Sequence, residues 1–154
     1  MGDEAPAFVD TNILVYAFDS TDPTRHRSAA QLLSRLMDED RLRLSTQVLQ
    51  EFYVTMTRKA KPPWSPDRAL AKLDDFAAWP VITSDLPLIR EAVLLSRDAV
   101  LSFWDALVVI AAVRSGANTL YTEDLNDGQM LRGVRVVNPF RAEAPAAFDV
   151  RNPA

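Results

Sequence analysis

The sequence has no cysteine and a single histidine, His26. Disulfide frameworks, thiolate zinc sites and cysteine nucleophiles are thereby excluded, and a histidine-based triad has almost nothing to draw on. Glycine is scarce too. Gly2, Gly116, Gly128 and Gly133 cannot be arranged into a P-loop or a G-x-G-x-x-G turn, so nucleotide-cofactor chemistry of those kinds is out. The longest unbroken apolar run, 106–113, is far too short to cross a bilayer, and the opening "MGDEAPAF" has neither a basic nor an apolar leader region. A cytoplasmic protein is expected. Positive charge is also short: 17 Lys and Arg against 21 Asp and Glu leave a net charge of −4, which at face value argues against a nucleic-acid partner.

What is present is a chain of 154 residues, 48% of them hydrophobic, enough for one globular domain with a sizeable core. The run "AFV" at 7–9 reads as a buried strand, followed by a turn at Asp10-Thr11-Asn12 and a helix through "ILVYAF". Asp22 as cap and Pro23 at the first helical position open a second helix with Ala29, Leu32, Leu33 and Leu36 on its apolar face. "RLRLST" alternates as a strand, and Ser45 or Thr46 caps the helix "QVLQEFYVTMTRK", whose stripe is Val48, Leu49, Phe52 and Met56. Further along come a proline-marked loop, a helix capped by Ser65 with Pro66 next, a strand at 81–83, helices at 85–96 and 101–116, the strand "TLYT", the turn "EDLNDG" and a last strand in "VRVVNPF". The alternation predicts an α/β domain over 1–140 with a short parallel sheet covered on both faces, and an Ala/Pro-rich, loosely held tail at 141–154.

Acidic residues fall at telling places in this pattern. Asp10 follows the first strand, Glu51 lies early in the helix after the second, and Asp124 and Asp127 follow "TLYT". Asp105 sits in the first turn of the helix 101–116, which is apolar on nearly every face. In an open parallel sheet, ligands bind at the carboxyl ends of the strands, where these residues cluster. Each also has an ordinary reading. Asp10 can cap the helix after it, Ser102-x-x-Asp105 is a capping-box spacing, Asp124 and Asp127 are common turn residues, and Glu51 would usually be a solvated helical residue.

Neither Glu51 nor Asp105 has a Lys or Arg three or four positions away, so local ion pairing explains neither. A carboxylate bordering an apolar stripe without compensation is driven to neutralise, and a cation is the natural remedy. Converging carboxylates suit a hard divalent ion, Mg²⁺ or Mn²⁺, which takes one or two of them, keeps waters and leaves room for phosphate. Such an ion lowers the pKa of bound water and neutralises charge on phosphoryl oxygens, so phosphodiester hydrolysis needs neither histidine nor cysteine.

With these residues assembled, "FVDTNILVYAFD", "STQVLQEFYVTMTRK", "SFWDALVVIAA", "LYTEDLNDGQ" and "VRVVNPF" in this order resemble the PIN domain family, in particular the VapC-like toxins of type II toxin-antitoxin systems. The resemblance implies a three-layer α/β/α fold with helices on both sides of the sheet and metal-dependent cleavage of single-stranded regions of RNA. It also implies a homodimer and a cognate antitoxin. Residue by residue, it makes Asp10, Glu51, Asp105 and Asp124 the catalytic acidic quartet and metal ligands, with Asp127 competing with Asp124 for the last metal position. Asn12 and Thr122 match positions that hold carboxylates or the scissile phosphate.

Setting those five carboxylates aside takes the net charge from −4 to +1, so the remaining surface is not acidic. Arg41 and Arg43, and the run Arg58, Lys59 and Lys61, are candidates to flank the site and hold RNA phosphates, although any one of them taken alone reads first as plain solvated surface. His26 is read as an exposed helix residue. Two rivals share parts of the pattern. A Mg²⁺-carboxylate receiver or phosphatase would need an Asp-x-Asp after the first strand or a lysine after a late one, and the chain has Asp10-Thr11-Asn12. The other is a PIN-like module that binds RNA or protein without cleaving.

Overall fold

The computed structural model describes residues 4–141, so the expected tail lies, after its first residue, outside the described residues. Six strands and six helices follow in the order β1 (Ala7–Val9), α1 (Thr11–Phe18), α2 (Pro23–Asp38), β2 (Leu42–Ser45), α3 (Thr46–Arg58), α4 (Pro66–Phe76), β3 (Val81–Ile82), α5 (Leu86–Ala99), α6 (Phe103–Arg114), β4 (Thr119–Tyr121), β5 (Met130–Leu131) and β6 (Val134–Val137). They build one sheet in the order β3-β2-β1-β4-β6-β5, parallel throughout except for β5 against β6. The expected α/β architecture with a short parallel sheet is observed.

Helix starts follow their caps. Asp22, Ser45, Ser65, Asp85 and Ser102 each accept a backbone N–H from the first turn of α2, α3, α4, α5 and α6, and Pro23 and Pro66 stand where a missing N–H costs nothing. Strand β1 is too buried to alternate polar with apolar, with Ala7, Phe8 and Val9 fully covered, whereas β2 alternates, with Leu42 and Leu44 fully covered and Arg43 between them half-buried. Helix α1 packs on both α2 and α3, while α6 lies against α5 on one side and β2, β4 and β6 on the other. This double contact explains why α6 is apolar on nearly every face, with Ala106 through Ala112 all buried. A cluster of edge-to-face rings, Phe18, Phe52, Trp64 and Phe76, with centroids 5.5 to 6.0 Å apart, ties α1, α3 and α4 together.

Two features were not expected from the sequence. The short β5 pairs with β6 through a two-residue turn at Arg132 and Gly133, whose φ angles of 52° and 85° are those of a tight hairpin. Arg132 is a poor marker for such a turn, which usually has Asn or Asp there. His26, expected to be exposed, is half-buried. Its Nδ1 lies 2.8 Å from the Tyr16 carbonyl oxygen, so Nδ1 carries the proton and donates across the α1/α2 hairpin.

The turn from α5 into α6 is made by Val100 in the left-handed region (φ 54°), with 90% of its surface exposed. A β-branched residue is strained there and its side chain gains little packing in return. Val100→Gly is expected to raise stability by about 1 kcal/mol after allowing for the looser unfolded chain, seen as a higher urea midpoint with an unchanged slope. A lower midpoint would mean that the valine packs in a way its exposure does not reveal.

Candidate active site

The strand order reverses between β1 and β4, since β2 and β3 lie to one side of β1 and β6 and β5 lie beyond β4. At such a point the loops leaving the two strands diverge and open a crevice at their carboxyl ends. Asp10 ends β1 and Thr122 ends β4, so both reach this crevice from strands that pair directly, Val9 opposite Tyr121.

Asp10 is 7% exposed. Its Oδ1 accepts the Thr11 N–H at 2.7 Å and its Oδ2 accepts the Thr122 hydroxyl at 2.8 Å. The capping role read from the sequence is thus real, but only one oxygen performs it. Burial pushes the Asp10 carboxyl up to about 7, against the lowering effect of those two hydrogen bonds, and the nearby charges of Asp124 and Glu51 push the same way. No Lys or Arg pairs with it among the described residues.

Thr122, fully buried, connects the remaining groups. Having donated to Asp10, its oxygen accepts the Asp124 N–H at 3.1 Å and Asn12 Nδ2 at 3.3 Å. Asn12 Nδ2 also donates to Asp124 Oδ2 at 2.9 Å, and Asn12 Oδ1 accepts the Glu123 N–H. Both residues therefore hold carboxylates, one of the two roles the resemblance implies for them.

Glu51 projects from the second turn of α3. It accepts the Thr11 hydroxyl at 2.6 Å and Gln47 Nε2 at 3.2 Å, and the same Gln47 nitrogen reaches the Trp104 carbonyl at 3.3 Å. This amide fastens the start of α3 to the start of α6, where Ser102 accepts the Asp105 N–H and leaves the Asp105 carboxylate without a hydrogen bond among the described residues. The carboxyl of Asp124 is raised by partial desolvation, opposed by Asn12 and reinforced by the negative charges of Asp105, Glu123 and Glu51. Across this crevice Asp10 feels the charges of Asp124 and Glu51, and Asp124 those of Glu51 and Asp105. A cleft of about 400 Å³ lined by Thr11, Asn12, Val15, Tyr16, Glu51 and Asp124, with Thr55 at its rim, leads into it.

The other expected residues are placed differently. Asp127 accepts the Asn138 N–H at 2.8 Å and so anchors the chain leaving β6, beyond β4 from Asp10. Arg41 and Arg43 do not flank the acids. Arg41 precedes β2, at the end of the sheet opposite the crevice, bound to Glu4, Glu39 and the Ala5 carbonyl, and Arg43 folds back onto the Asp40 and Leu42 carbonyls. Arg58 and Lys59 are exposed at the far end of α3, seven and eight residues past Glu51, or about 10 Å along the helix. Lys61 lies beside Phe18 and Asp19 at the end of α1.

Thr11, Gln47 and Glu123 were not anticipated. Glu123 has partners of its own: Arg25 Nε lies 3.2 Å from Oε1 and the Tyr16 hydroxyl donates to Oε2 at 2.8 Å, while the Arg25 guanidinium rests over the Tyr16 and Phe140 rings. Burial and that bond to Glu123 push the Tyr16 hydroxyl up to about 12. Nothing in the spacing links Arg25 to Glu123.

The donor set fits a hard cation in kind, since it is all oxygen and includes a buried carboxylate with no cationic partner. Among the described residues no three carboxylates are gathered closely enough to enclose an ion by themselves. A Mg²⁺-type ion needs only one or two of them beside its waters, so Asp10 with Asp124, and Glu51 or Asp105 across the cleft, would be its protein ligands.

Fold and crevice together define a PIN-type α/β domain. The PIN domain family profile matches residues 7–126, and the chain belongs to that family. Comparison with curated protein sequences finds no match. Among solved structures, similar chains occur in a toxin-antitoxin complex from Klebsiella pneumoniae (22% identity, TM-score 0.65, covering 86% of this chain and 97% of that one). Others are VapBC2 of Rickettsia felis bound to a promoter DNA fragment (19%, 0.60, 86% and 97%) and the sarcin-ricin loop cleaving toxin VapC20 of Mycobacterium tuberculosis (22%, 0.61, 84% and 98%). At these identities the likeness establishes the fold.

The raised Asp10 carboxyl has a consequence for stability. A group whose folded-state value lies above its unfolded one binds its proton more tightly in the native state. Its contribution is therefore complete below about pH 4 and is lost as pH rises toward and through 7. The full loss is about 4 kcal/mol for a shift from 3.8 to about 7. In EDTA, the thermal midpoint of the wild type should fall across this window, and Asp10→Asn should flatten the fall. Parallel curves for the two proteins would show that Asp10 is ionised without cost.

Proposed function

We propose that the protein is a metal-dependent endoribonuclease that hydrolyses phosphodiester bonds in single-stranded regions of RNA, and that it is the toxin of a toxin-antitoxin pair. The observation that carries this reading is the Asp10 carboxylate, buried at the switch point with two neutral donors and no cation, facing Glu51 and Asp124. Membership of the PIN family and the kinds of proteins that share the fold support it.

In this reading Asp10, Glu51, Asp105 and Asp124 hold Mg²⁺ or Mn²⁺, which when bound supplies Lewis acidity toward the phosphoryl oxygen and a more acidic water for attack. Thr122 and Asn12 fix the Asp10 and Asp124 carboxylates, and Thr11 and Gln47 fix Glu51, so that little reorganisation is needed when the phosphate arrives. Because Asp124 leans into the crevice while Asp127 is spent on Asn138, we assign the last ligand to Asp124.

An apolar groove of about 460 Å³ between α3 and α4, lined by Leu49, Tyr53, Val54 and Leu73, suits an amphipathic helix of a cognate antitoxin, and the exposed Val93, Leu94 and Val100 of the α5 region suit a homodimer contact. No helix among the described residues is long and apolar enough to cross a membrane, and an RNA-directed toxin acts in the cytoplasm. The PIN domain proper is assigned to 1–140. The second reading, a PIN-like module that binds RNA or protein without cleavage, draws on the openness of the carboxylate cluster.

End-labelled RNA incubated with Mn²⁺ or with EDTA separates the two. Cleavage that requires metal and falls at least 100-fold in Asp10→Asn or Asp105→Asn, with the fold intact, supports the nuclease; binding without cleavage supports the module. Asp124→Asn should raise the metal concentration needed far more than Asp127→Asn, and the opposite order would move the ligand. Metal at 100 times its Kd should also stabilise the wild type by roughly 2.7 kcal/mol and leave Asp10→Asn nearly unmoved.

A further inference from the structure

Trp104 leaves 62% of its surface in solvent in the first turn of α6, immediately before Asp105. Of the other two tryptophans, Trp64 is buried within the aromatic cluster and Trp79 is half-buried against the core. The exposed indole is not loosely placed. Phe103, which packs on the core, meets it edge to face at 5.1 Å and 74°. The Trp104 carbonyl accepts Gln47 Nε2, the nitrogen that also holds Glu51. A large flat ring thus stands in solvent on the residue next to Asp105, its backbone two hydrogen bonds from Glu51, a proposed metal ligand.

A carboxylate cluster and any ion it holds can engage a phosphate, but they cannot set which part of a strand lies there. Single-strand binding proteins solve this with aromatic side chains on which bases stack, a contact open to every base and worth roughly five- to a hundred-fold in affinity for each base. In a duplex the face of a base is already covered by its neighbour, so a stacking platform also selects for unpaired nucleotides.

We propose that Trp104 is a stacking platform for one nucleobase of a single-stranded RNA, setting the register of the strand against the carboxylates. The proposal rests on the RNA-directed reading given above. Trp104 touches the base and not the reacting phosphate, so it governs strand affinity and position while the acids carry the chemistry.

The test is binding in EDTA, so that no cleavage intervenes, of a short mixed-sequence single-stranded oligoribonucleotide and of the same strand made abasic. Trp104→Ala should weaken binding of the intact strand roughly five- to a hundred-fold and change binding of the abasic strand little, whereas Trp104→Phe should recover most of the loss. The intact strand should quench part of the indole emission of the wild type, and this quenching should vanish in Trp104→Phe. If wild type and Trp104→Ala bind the intact strand equally, the platform does not exist even though the RNA reading stands. An equal loss on both strands would make the effect something other than stacking. If Trp104→Ala instead turns a sedimenting dimer into monomers with unchanged affinity, the indole belongs to a contact between copies. A wild-type protein that neither binds nor cleaves RNA overturns the RNA reading and this proposal together.

Discussion

A carboxyl group buried between two adjacent parallel strands sets the terms for everything around it. Asp10 closes β1, and each of its oxygens is consumed by a neutral donor, the Thr11 N–H and the Thr122 hydroxyl. Because Thr122 must give its only proton to Asp10, its oxygen can only accept, and it takes the Asp124 N–H and the Asn12 amide. The direction of every bond in this chain follows from the first. The turn after β4 is thereby clamped to the turn after β1, and a crevice that would otherwise be two divergent loops becomes a single polar lattice with no buried side-chain atom left unpaired among the described residues.

The choice of neutral donors matters for what the crevice can attract. Had an arginine paired with Asp10 or Glu51, the local charge would be cancelled and the carboxylate lone pairs occupied. Hydroxyls, amides and backbone N–H groups instead hold the acids in place while leaving their charge uncompensated. The strain of that charge appears in the raised carboxyls of Asp10 and Asp124, where burial comes first and mutual repulsion adds to it. An acidic site arranged in this way draws cations, whereas a salt-bridged one is already satisfied.

Much of this was legible along the sequence because it depends on local chemistry. Caps at Asp22, Ser45, Ser65 and Ser102, prolines at Pro23 and Pro66, and the apolar runs of β1 and α6 act within a few residues, so spacing reveals them. The sequence also pointed to Asp10, Glu51, Asp105, Asp124 and Asp127 by their places relative to strand and helix ends, without separating Asp124 from Asp127. It did not reveal what compensates them. The absence of a basic neighbour for Glu51 pointed to a cation, yet an amide four residues away, Gln47, and a hydroxyl forty residues away, Thr11, bind it in this structure. The basic residues misled for a related reason. Arg41 and Arg43 lie close in sequence to the end of β2 that bears α3, but a strand of four residues is long enough to put Arg41 at its opposite end, where Glu4 and Glu39 take it up, and Arg43 turns back onto the Asp40 and Leu42 carbonyls. Hairpin β5/β6 escaped notice because its turn uses Arg132 in place of a residue that marks such turns.

The turn after β4 shows how one short acidic stretch is divided among different tasks. Glu123, Asp124 and Asp127 lie within five residues, all with the same charge and, in a sequence, the same apparent potential as ligands. Glu123 points toward α1 and α2, where Arg25 and Tyr16 absorb its charge and bind the turn to the helical layer. Asp127 points toward β6 and serves the backbone of Asn138, whose own side chain accepts the Phe140 and Arg141 N–H groups and guides the chain away. Asp124, held between them, leans toward β1, where the Asn12 amide binds it and no Lys or Arg among the described residues pairs with it. The two flanking acids therefore act as tethers that bind the turn to the helical layer and to β6, and Asn12 fixes the carboxylate between them that faces the crevice.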